Sequence, residues 1–173
     1  MKKFCLILAA LFVCICSRAQ EKGPYSGYLD RVDSFPFLVI DKPAFTLTIV
    51  DSLGFEIKHY GVALAARYGK KTKNGDGKTP EGAFRINQLL NSRGLSHDFG
   101  DGKGPVAGAY GPWFLRLDVP GTRQIGIHGT HKPESIGTRD TEGCIRLRNE
   151  DIIDLKQRVS VGTWVFITPD LIQ

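Results

Sequence analysis

Short runs rich in β-branched and aromatic residues recur along this chain, whereas only one segment has the spacing of an amphipathic helix. Such runs, separated by Gly, Pro, Asn and Asp, are typical of strands joined by turns. In the second run Leu47 and Ile49 occupy every other position, which predicts a strand with one buried face. The runs cover residues 37–40, 46–50, 55–64, 83–89, 113–119, 124–129 and 163–168. The predicted fold class is therefore mainly β.

One main α-helix is predicted after residue 148. Asn149 is suited to cap its start, and Glu150 and Asp151 lie in the first turn, where the helix dipole favours negative charge. Apolar residues then recur at helical spacing: Ile152, Leu155 and Val159. This pattern predicts an amphipathic helix that ends before Gly162.

Residues 1–19 have the pattern of a secretory signal peptide. Two lysines precede an apolar run over residues 4–15, and the small residues Ser17 and Ala19 suit a cleavage ahead of Gln20. The run is about half of the ~20 residues that span a bilayer, so a permanent anchor is the weaker alternative. We expect an exported protein, periplasmic or associated with the cell wall, without membrane contact after cleavage.

The charge pattern does not favour a nucleic-acid partner. The formal charge of +5 falls to +2 when residues 1–19 are removed, because three basic residues and no acidic one leave. The remaining basic residues are scattered rather than collected in a run. Residues 20–36 are expected to form a linker or N-terminal arm, and residues 37–173 a single domain.

Cys144 is expected to be the sole cysteine of the exported chain, because Cys5, Cys14 and Cys16 lie within the signal peptide. It then has no partner for an internal disulfide. A lone thiol in an oxidising compartment is a liability unless it is buried, paired between chains or used chemically. The cysteine count leaves these three alternatives open.

His128 is a candidate for activating this thiol. Alternation along residues 125–128 puts Ile125 and Ile127 on one face and His128 on the other, beside Gly126, which has no side chain to crowd it. His128 is therefore expected to face a groove. The alternative is a histidine that is hydrogen-bonded at a strand end.

The segment at 141–146 (Thr-Glu-Gly-Cys-Ile-Arg) supplies the other half of a candidate site. An imidazole can take the proton of a thiol and stabilise the thiolate. Gly143 lets the backbone approach a substrate, and amides around Cys144 can stabilise an oxyanion. In an extended segment Arg146 lies on the same side as Cys144, where it can orient the cysteine or bind a substrate carboxylate. The alternative is that Arg146 forms an ion pair at the surface.

These elements resemble the signature of the L,D-transpeptidases of the YkuD type. The resemblance rests on His-Gly-Thr at 128–130, an interval of sixteen residues from His128 to Cys144, and Gly-Cys-Ile-Arg at 143–146. Thr-Pro-Glu-Gly at 79–82 resembles the family's turn before a core strand. The similarity extends over about residues 37–168.

The resemblance implies a YkuD-like β-sandwich catalytic domain at 37–173 that acts on peptidoglycan stem peptides, as a monomer and without a cofactor or metal. Cys144 maps to the nucleophile and His128 to the base, whose other nitrogen a carbonyl such as that of Gly129 orients. Thr141 matches the family's Ser/Thr position. The expected reaction is a 3→3 cross-link if an amine is the acceptor. With the same pair, water gives an L,D-carboxypeptidase or a hydrolase that releases wall proteins.

Glu142 departs from the family pattern, which has histidine at this position. Its carboxylate would either raise the pKa of the neighbouring thiol or point away and bind an acceptor amine.

Other readings of the sequence remain. His128 and His131 with His97 and Asp98 suggest a zinc peptidase, although the spacing matches no metalloprotease pattern. The loop at 74–77 suggests calcium but lacks the acidic residues of an EF-hand.

A non-catalytic cell-wall binding module is the alternative of another class. Cys144 would then be silent, and Tyr60, Tyr110 and Trp113 would contact the wall. The glycine-rich segment at 90–112 is long for a loop and is expected to be a lid, a binding loop or disordered.

Overall fold

The computed structural model describes residues 21–122 and 124–171, so the predicted signal peptide lies outside the described residues. Two 3-10 helices occupy Ser26–Arg31 and Pro133–Ser135. The other described elements are β1 (Phe37–Asp41), β2 (Thr46–Val50), β3 (Glu56–Gly61), β4 (Leu64–Ala65), β5 (Gly82–Asn91), β6 (Ser96–His97), β7 (Val106–Ala107), β8 (Trp113–Leu117), β9 (Gly126–His128), β10 (Arg139–Thr141), β11 (Ile145–Arg146), α1 (Asn149–Arg158) and β12 (Trp164–Ile167). Within the described chain, no helix has the length and apolar character that crossing a bilayer requires.

Eight strands form one mixed sheet in the order β11-β9-β8-β5-β12-β1-β2-β3. Its pairs are antiparallel except β1 with β12 and β9 with β11, which are parallel. Ala63, just beyond β3, exchanges main-chain hydrogen bonds of 2.8 and 3.0 Å with Arg146 of β11. The sheet is therefore curled until its two ends meet. The predicted mainly β class, with one main helix after the cysteine, is confirmed.

The larger core fills the inside of the curl. It contains the inward side chains of most strands together with Ile152 and Leu155 of α1, which are fully buried. Burial of side chains of this size contributes about 1.5–3 kcal/mol each. Tyr60 of β3 donates a 2.7 Å hydrogen bond to Asp154 of α1, which fixes the helix against the end of the sheet.

A smaller core covers the outer face of β1, β2 and β12. It contains Phe37, Val39, Val50 and Phe166, packed against residues 25–32 of the N-terminal arm. The prediction that β2 has one buried face is therefore wrong. All of 47–50 is buried, because the arm covers the face that alternation alone assigns to solvent.

Asn149 is not the cap of α1 but its first residue, and the preceding Arg148 makes no side-chain capping hydrogen bond. The Asn149 amide instead holds Thr130. Its Oδ1 accepts from the Thr130 amide at 2.8 Å, and its Nδ2 donates to the Thr130 carbonyl at 2.9 Å. The cap prediction is wrong, and the residue fixes the loop that follows β9.

Candidate active site

Adjacent strands place Cys144 and His128 on the same face of the sheet. β11 runs parallel to β9, with Ile145 opposite Ile127. Both isoleucines are fully buried in the core, so alternation turns His128 and Cys144 to the opposite face. Cys144 is diagonal to His128 in this register, which on ideal strand spacings puts their Cα atoms about 8 Å apart. A thiol and an imidazole side chain can bridge this separation.

His128 is held between aromatic rings. Phe114 stacks on it at 5.4 Å between ring centroids, and Tyr110 meets it edge-on at 5.1 Å. The Nδ1 atom donates a 2.6 Å hydrogen bond to the Gly129 carbonyl. Because a carbonyl oxygen only accepts, the proton of the neutral ring lies on Nδ1, and Nε2 keeps its lone pair. Nε2 is therefore the atom that can take a proton.

Both groups are uncharged at neutral pH. Burial lowers the pKa of His128 to about 3, although its hydrogen bond to Gly129 favours the charged ring. Burial raises the pKa of the Cys144 thiol to about 11, and the Glu142 carboxylate adds to the rise, while a nearby amide and two cations oppose it. The resting pair is a thiol and a neutral imidazole rather than a thiolate–imidazolium ion pair.

The thiol of Cys144 rests against a main-chain carbonyl. Its sulfur lies 3.2 Å from the carbonyl oxygen of Gln124, to which the S–H group donates a hydrogen bond. The side chain is partly exposed. The S–H group therefore has to turn away from this carbonyl before Nε2 of His128 can take its proton.

The turn before the cysteine depends on glycine. Gly143 has a φ of 148°, and a Cβ atom there would lie 2.9 Å from Cδ1 of Ile125. Thr141 closes the turn: its hydroxyl donates to the Cys144 carbonyl at 2.7 Å and accepts from the Gly143 amide at 3.3 Å. Thr141 and Gly143 together shape the backbone beside the sulfur.

Arg146 already has a carboxylate partner. Its buried guanidinium donates to Oδ2 of Asp140 at 2.7 Å and to the hydroxyl of Ser135 at 2.8 Å. These bonds join β11 to β10 and to the second 3-10 helix. A substrate carboxylate would have to compete with Asp140, so this geometry suits Arg146 to positioning the Cys144 segment.

Glu142 reaches the glycine-rich segment at 90–112. Its carboxylate lies 2.9 Å from Nε2 of His97, and the hydroxyl of Tyr110 lies 2.9 Å from Nδ1 of the same ring. His97 belongs to β6, which pairs with β7 in a small hairpin. The segment thus has structure of its own and is fastened beside Cys144 through the residue that departs from the family pattern.

A cavity of about 510 Å³ lies between these elements. Its size is within the ~300–1,000 Å³ range of small-molecule sites, so it can hold the reacting part of a peptide. The segment at 90–112 and the loop at 71–77 form parts of its wall. The predicted site residues that line it are Cys144, His128, Thr141 and Arg146, whereas Gly129 and Gly143 are not among its lining residues.

In the loop that suggested calcium, the acidic side chain is already hydrogen-bonded to other groups of the same loop. The Asp76 carboxylate accepts from Nζ of Lys71 at 2.8 Å and from three amides of the loop. Burial alone would raise the pKa of Asp76, but Lys71 and these amides hold it well below its usual value. In the part of the chain that the structure describes, no three His, Cys, Asp or Glu side chains are grouped to hold a metal ion.

The family model for the L,D-transpeptidase catalytic domain, YkuD, matches residues 36–167. The chain belongs to this family. It is 31% identical over 140 residues to YqjB of Bacillus subtilis (strain 168), which bears an L,D-transpeptidase name, and the match covers 78% of this chain and 72% of YqjB. A stretch of 43 residues is 54% identical to YbiS of Escherichia coli (strain K12), covering 25% of this chain and 14% of YbiS.

Solved L,D-transpeptidase structures have the same fold. The NMR structure of the E. faecium catalytic domain has a TM-score of 0.54 at 21% identity and covers 77% of this chain and 96% of that one. L,D-transpeptidase 3 from Mycobacterium tuberculosis, in complex with a faropenem-derived adduct, has a TM-score of 0.57 at 16% identity and covers 77% and 60%. The chain spans about half of some longer structures, such as 48% of Bd1075 from Bdellovibrio bacteriovorus.

Phe114 and Arg116 line the cavity but belong to neither family motif. They alternate with Leu115 and Leu117, which are fully buried. From this alternation the sequence alone could have predicted that both residues face away from the core. The pairing of β8 with β9, which brings them beside the site, has no such signal in the sequence.

Replacing Glu142 with Gln is expected to lower the pKa of the Cys144 thiol by up to about one unit, because a carboxylate disfavours a neighbouring thiolate. The ultraviolet absorbance of the thiolate, followed against pH, measures this directly. Glu56→Gln, which removes an exposed carboxylate on β3, is the matched control and should leave the titration unchanged. An unchanged or higher thiol pKa in Glu142→Gln would contradict the assignment.

Proposed function

We propose that this protein is an exported cysteine acyltransferase that acts on peptidoglycan stem peptides. Cys144 would form a thioester with the third stem residue, release a terminal D-amino acid and transfer the acyl group to an amine, giving a 3→3 cross-link. The observation that carries the proposal is the placement of Cys144 and His128 on adjacent strands at one cavity, with Nε2 of His128 free to accept a proton. Membership of the L,D-transpeptidase family supports the same reaction class.

The first half of the reaction begins as the thiol turns from the Gln124 carbonyl toward His128. The sulfur attacks the scissile carbonyl while its proton moves to Nε2, because the resting pair is neutral and no thiolate is preformed. As the tetrahedral intermediate collapses, the C–N bond breaks and the imidazolium returns the proton to the leaving amine. The products of this half are a Cys144 thioester and a free D-amino acid.

In the second half an acceptor amine attacks the thioester. Nε2 of His128 removes the amine proton, the C–S bond breaks and the sulfur regains a proton from the imidazolium. Water in place of the amine would give an L,D-carboxypeptidase, and hydrolysis of a wall-attached protein would release it. Both hydrolyses use the same pair.

Backbone groups around the cysteine would stabilise the oxyanion. The Gly143 amide donates weakly to Thr141, so we assign the main role to the neighbouring amide of Cys144. Thr141 and the Gly129 carbonyl would hold the turn and the imidazole ring in place. Arg146 would hold the Cys144 segment through Asp140.

The test combines acylation with product analysis. Incubation with a carbapenem is expected to add the mass of the drug to the wild type and not to Cys144→Ala. With purified cell-wall peptides, the variant should lose activity by at least about 10³-fold, as expected when a nucleophile is removed. New 3→3 dimers would indicate transfer, and loss of a terminal D-residue without dimers would indicate hydrolysis. An adduct of equal yield on Cys144→Ala, or a thiol that no reagent reaches in the native state, would instead favour the non-catalytic binding module.

Export and a monomeric state are also part of the proposal. N-terminal sequencing of the protein secreted from its host is expected to begin at Gln20, and light scattering to give the mass of one chain. Retention of residues 1–19 on a membrane-bound protein would contradict export by signal cleavage.

A further inference from the structure

Arg116 is a cation of the active-site cavity for which the described residues provide no partner. It lies on β8 and lines the cavity. Its Nε atom is buried and has no hydrogen-bond partner, and within residues 21–122 and 124–171 its guanidinium forms no hydrogen bond or ion pair. A guanidinium presents a fork of five donors, and leaving a partly buried one unpaired costs free energy that a bound anion would recover.

The other charged side chains that line the cavity have partners within the described part of the protein. Lys71 is paired with Asp76, and Arg146 with Asp140. The Glu142 carboxylate is hydrogen-bonded to the His97 ring. Of the lysine and arginine side chains that line the cavity in the described residues, Arg116 is thus the one without a carboxylate partner, and it can bind a ligand of negative charge.

The sheet register places Arg116 in the same row as the cysteine. Arg116 of β8 is paired with Gly126 of β9. On the other side of β9, Ile127 is paired with Ile145 of β11, so the preceding residues Gly126 and Cys144 are also opposite each other. Paired residues face the same side of a sheet, so Arg116 and Cys144 project together from strands about 10 Å apart. The ring of Phe114 lies over Gly126 between them, and Arg116 and Cys144 both line the cavity, so one ligand in the cavity can contact both.

We propose that Arg116 binds a carboxylate of the donor stem peptide and thereby selects donors that carry a free carboxylate near the scissile bond. This inference rests on the proposed function. The guanidinium matches a carboxylate with two parallel N–H···O bonds, which fixes orientation as well as charge. Arg116 would therefore hold the scissile carbonyl in line with the sulfur.

A donor stem peptide has two carboxylates within reach of this position. One ends the D-residue that leaves, and the other ends the side chain of the third residue when that residue is a diaminodicarboxylic acid. Both present the same chemistry to Arg116. Selective conversion of each to an uncharged amide separates them.

The experiment measures binding without turnover. Three synthetic tetrapeptides are titrated by calorimetry into Cys144→Ala and into Cys144→Ala with Arg116→Gln: one with diaminopimelate third and D-alanine fourth, one with the diaminopimelate side-chain carboxylate amidated, and one with the terminal carboxylate amidated. Loss of Arg116 is expected to weaken the first peptide roughly 10- to 100-fold, the range for a hydrogen bond to a charged group. The amidated peptide that binds both variants equally identifies the carboxylate.

Two further variants make the result specific. Arg116→Lys should recover part of the affinity, because it restores the charge without the fork. Arg93→Gln removes an exposed guanidinium beyond the end of β5 and should leave the affinity unchanged. The proposal is overturned if Arg116→Gln does not weaken the diacid peptide, if it weakens all three peptides equally, or if no peptide binds. Failure of the proposed function would appear separately, as acylation or turnover that persists in Cys144→Ala.

Discussion

Replacing His128 with Gln is expected to slow acylation of Cys144 at pH 7 by about 10²- to 10⁴-fold, the range contributed by a general base. The effect should be large because burial holds the thiol pKa near 11, so almost no thiolate exists at neutral pH without a base. Stopped-flow measurement of carbapenem acylation gives this rate. His59→Gln, which changes an exposed histidine on β3, should acylate like the wild type.

The pH dependence of this variant distinguishes a lost base from a damaged fold. In His128→Gln the rate should rise about tenfold per pH unit toward the thiol pKa, because only preformed thiolate reacts. In the wild type the rate should change much less between pH 5 and pH 8, since His128, with its pKa lowered to about 3, stays neutral throughout that range. A flat profile in the variant, or a rate within threefold of the wild type at pH 7, would remove His128 from the mechanism.

Replacing Lys42 with Met is expected to lower the free energy of unfolding by about 3–5 kcal/mol, the usual cost of removing one partner from a buried ion pair. Lys42 is fully buried, and its ammonium lies 2.7 Å from Glu81 and 2.8 Å from Asp170. Without it, Glu81 loses its cation, whereas Asp170 keeps Arg139. Urea unfolding followed by tryptophan fluorescence measures the change.

Lys58→Met is the matched control for this prediction. Lys58 also lies 2.7 Å from a carboxylate, that of Asp154, but its side chain is 44% exposed. Exposed ion pairs contribute about 0–1 kcal/mol, so this variant should lose little stability. Equal losses in the two variants would show that burial of the Lys42 cluster is not what makes it stabilising.

The ion pair with Lys42 also explains what Glu81 does in the turn at 79–82. Thr-Pro-Glu-Gly at 79–82 resembles the family's turn, but its sequence does not say what the turn holds. In the fold, the Thr79 hydroxyl accepts from the Ala65 amide at 3.0 Å, and Glu81 pairs with Lys42. The motif thereby joins β4 and the end of β1 to the start of β5.

Local patterns predicted the parts of the site that depend on neighbours in sequence. Alternation at 125–128 puts Ile127 inward and His128 toward a groove, and in the structure Ile127 is in the core and His128 at the cavity. The helix after Cys144 follows from spacing in the same way. Such patterns report on the two faces of one element, because side-chain direction is set by backbone geometry alone.

Predictions failed where a distant segment decided the outcome. Alternation in β2 indicates one buried face, but the N-terminal arm covers the other. Asn149 has the type of a helix cap, yet its amide bonds to Thr130, nineteen residues away. The sequence could not indicate whether the Asn149 side chain would cap the helix or bond to a distant segment, because an asparagine amide can form either set of hydrogen bonds.

The sequence by itself determined the strand-rich class, the single main helix, the family motifs and the residues able to supply a thiol, a base and an oxyanion turn. Only the tertiary structure decided which cationic side chains have a carboxylate partner and which are left for a ligand. The pairing of β8 with β9 and of β9 with β11 places Arg116 and Cys144 on either side of Gly126. Burial, which sets the pKa values of Cys144 and His128, likewise depends on every segment packed around them and is not a property of their neighbours in sequence.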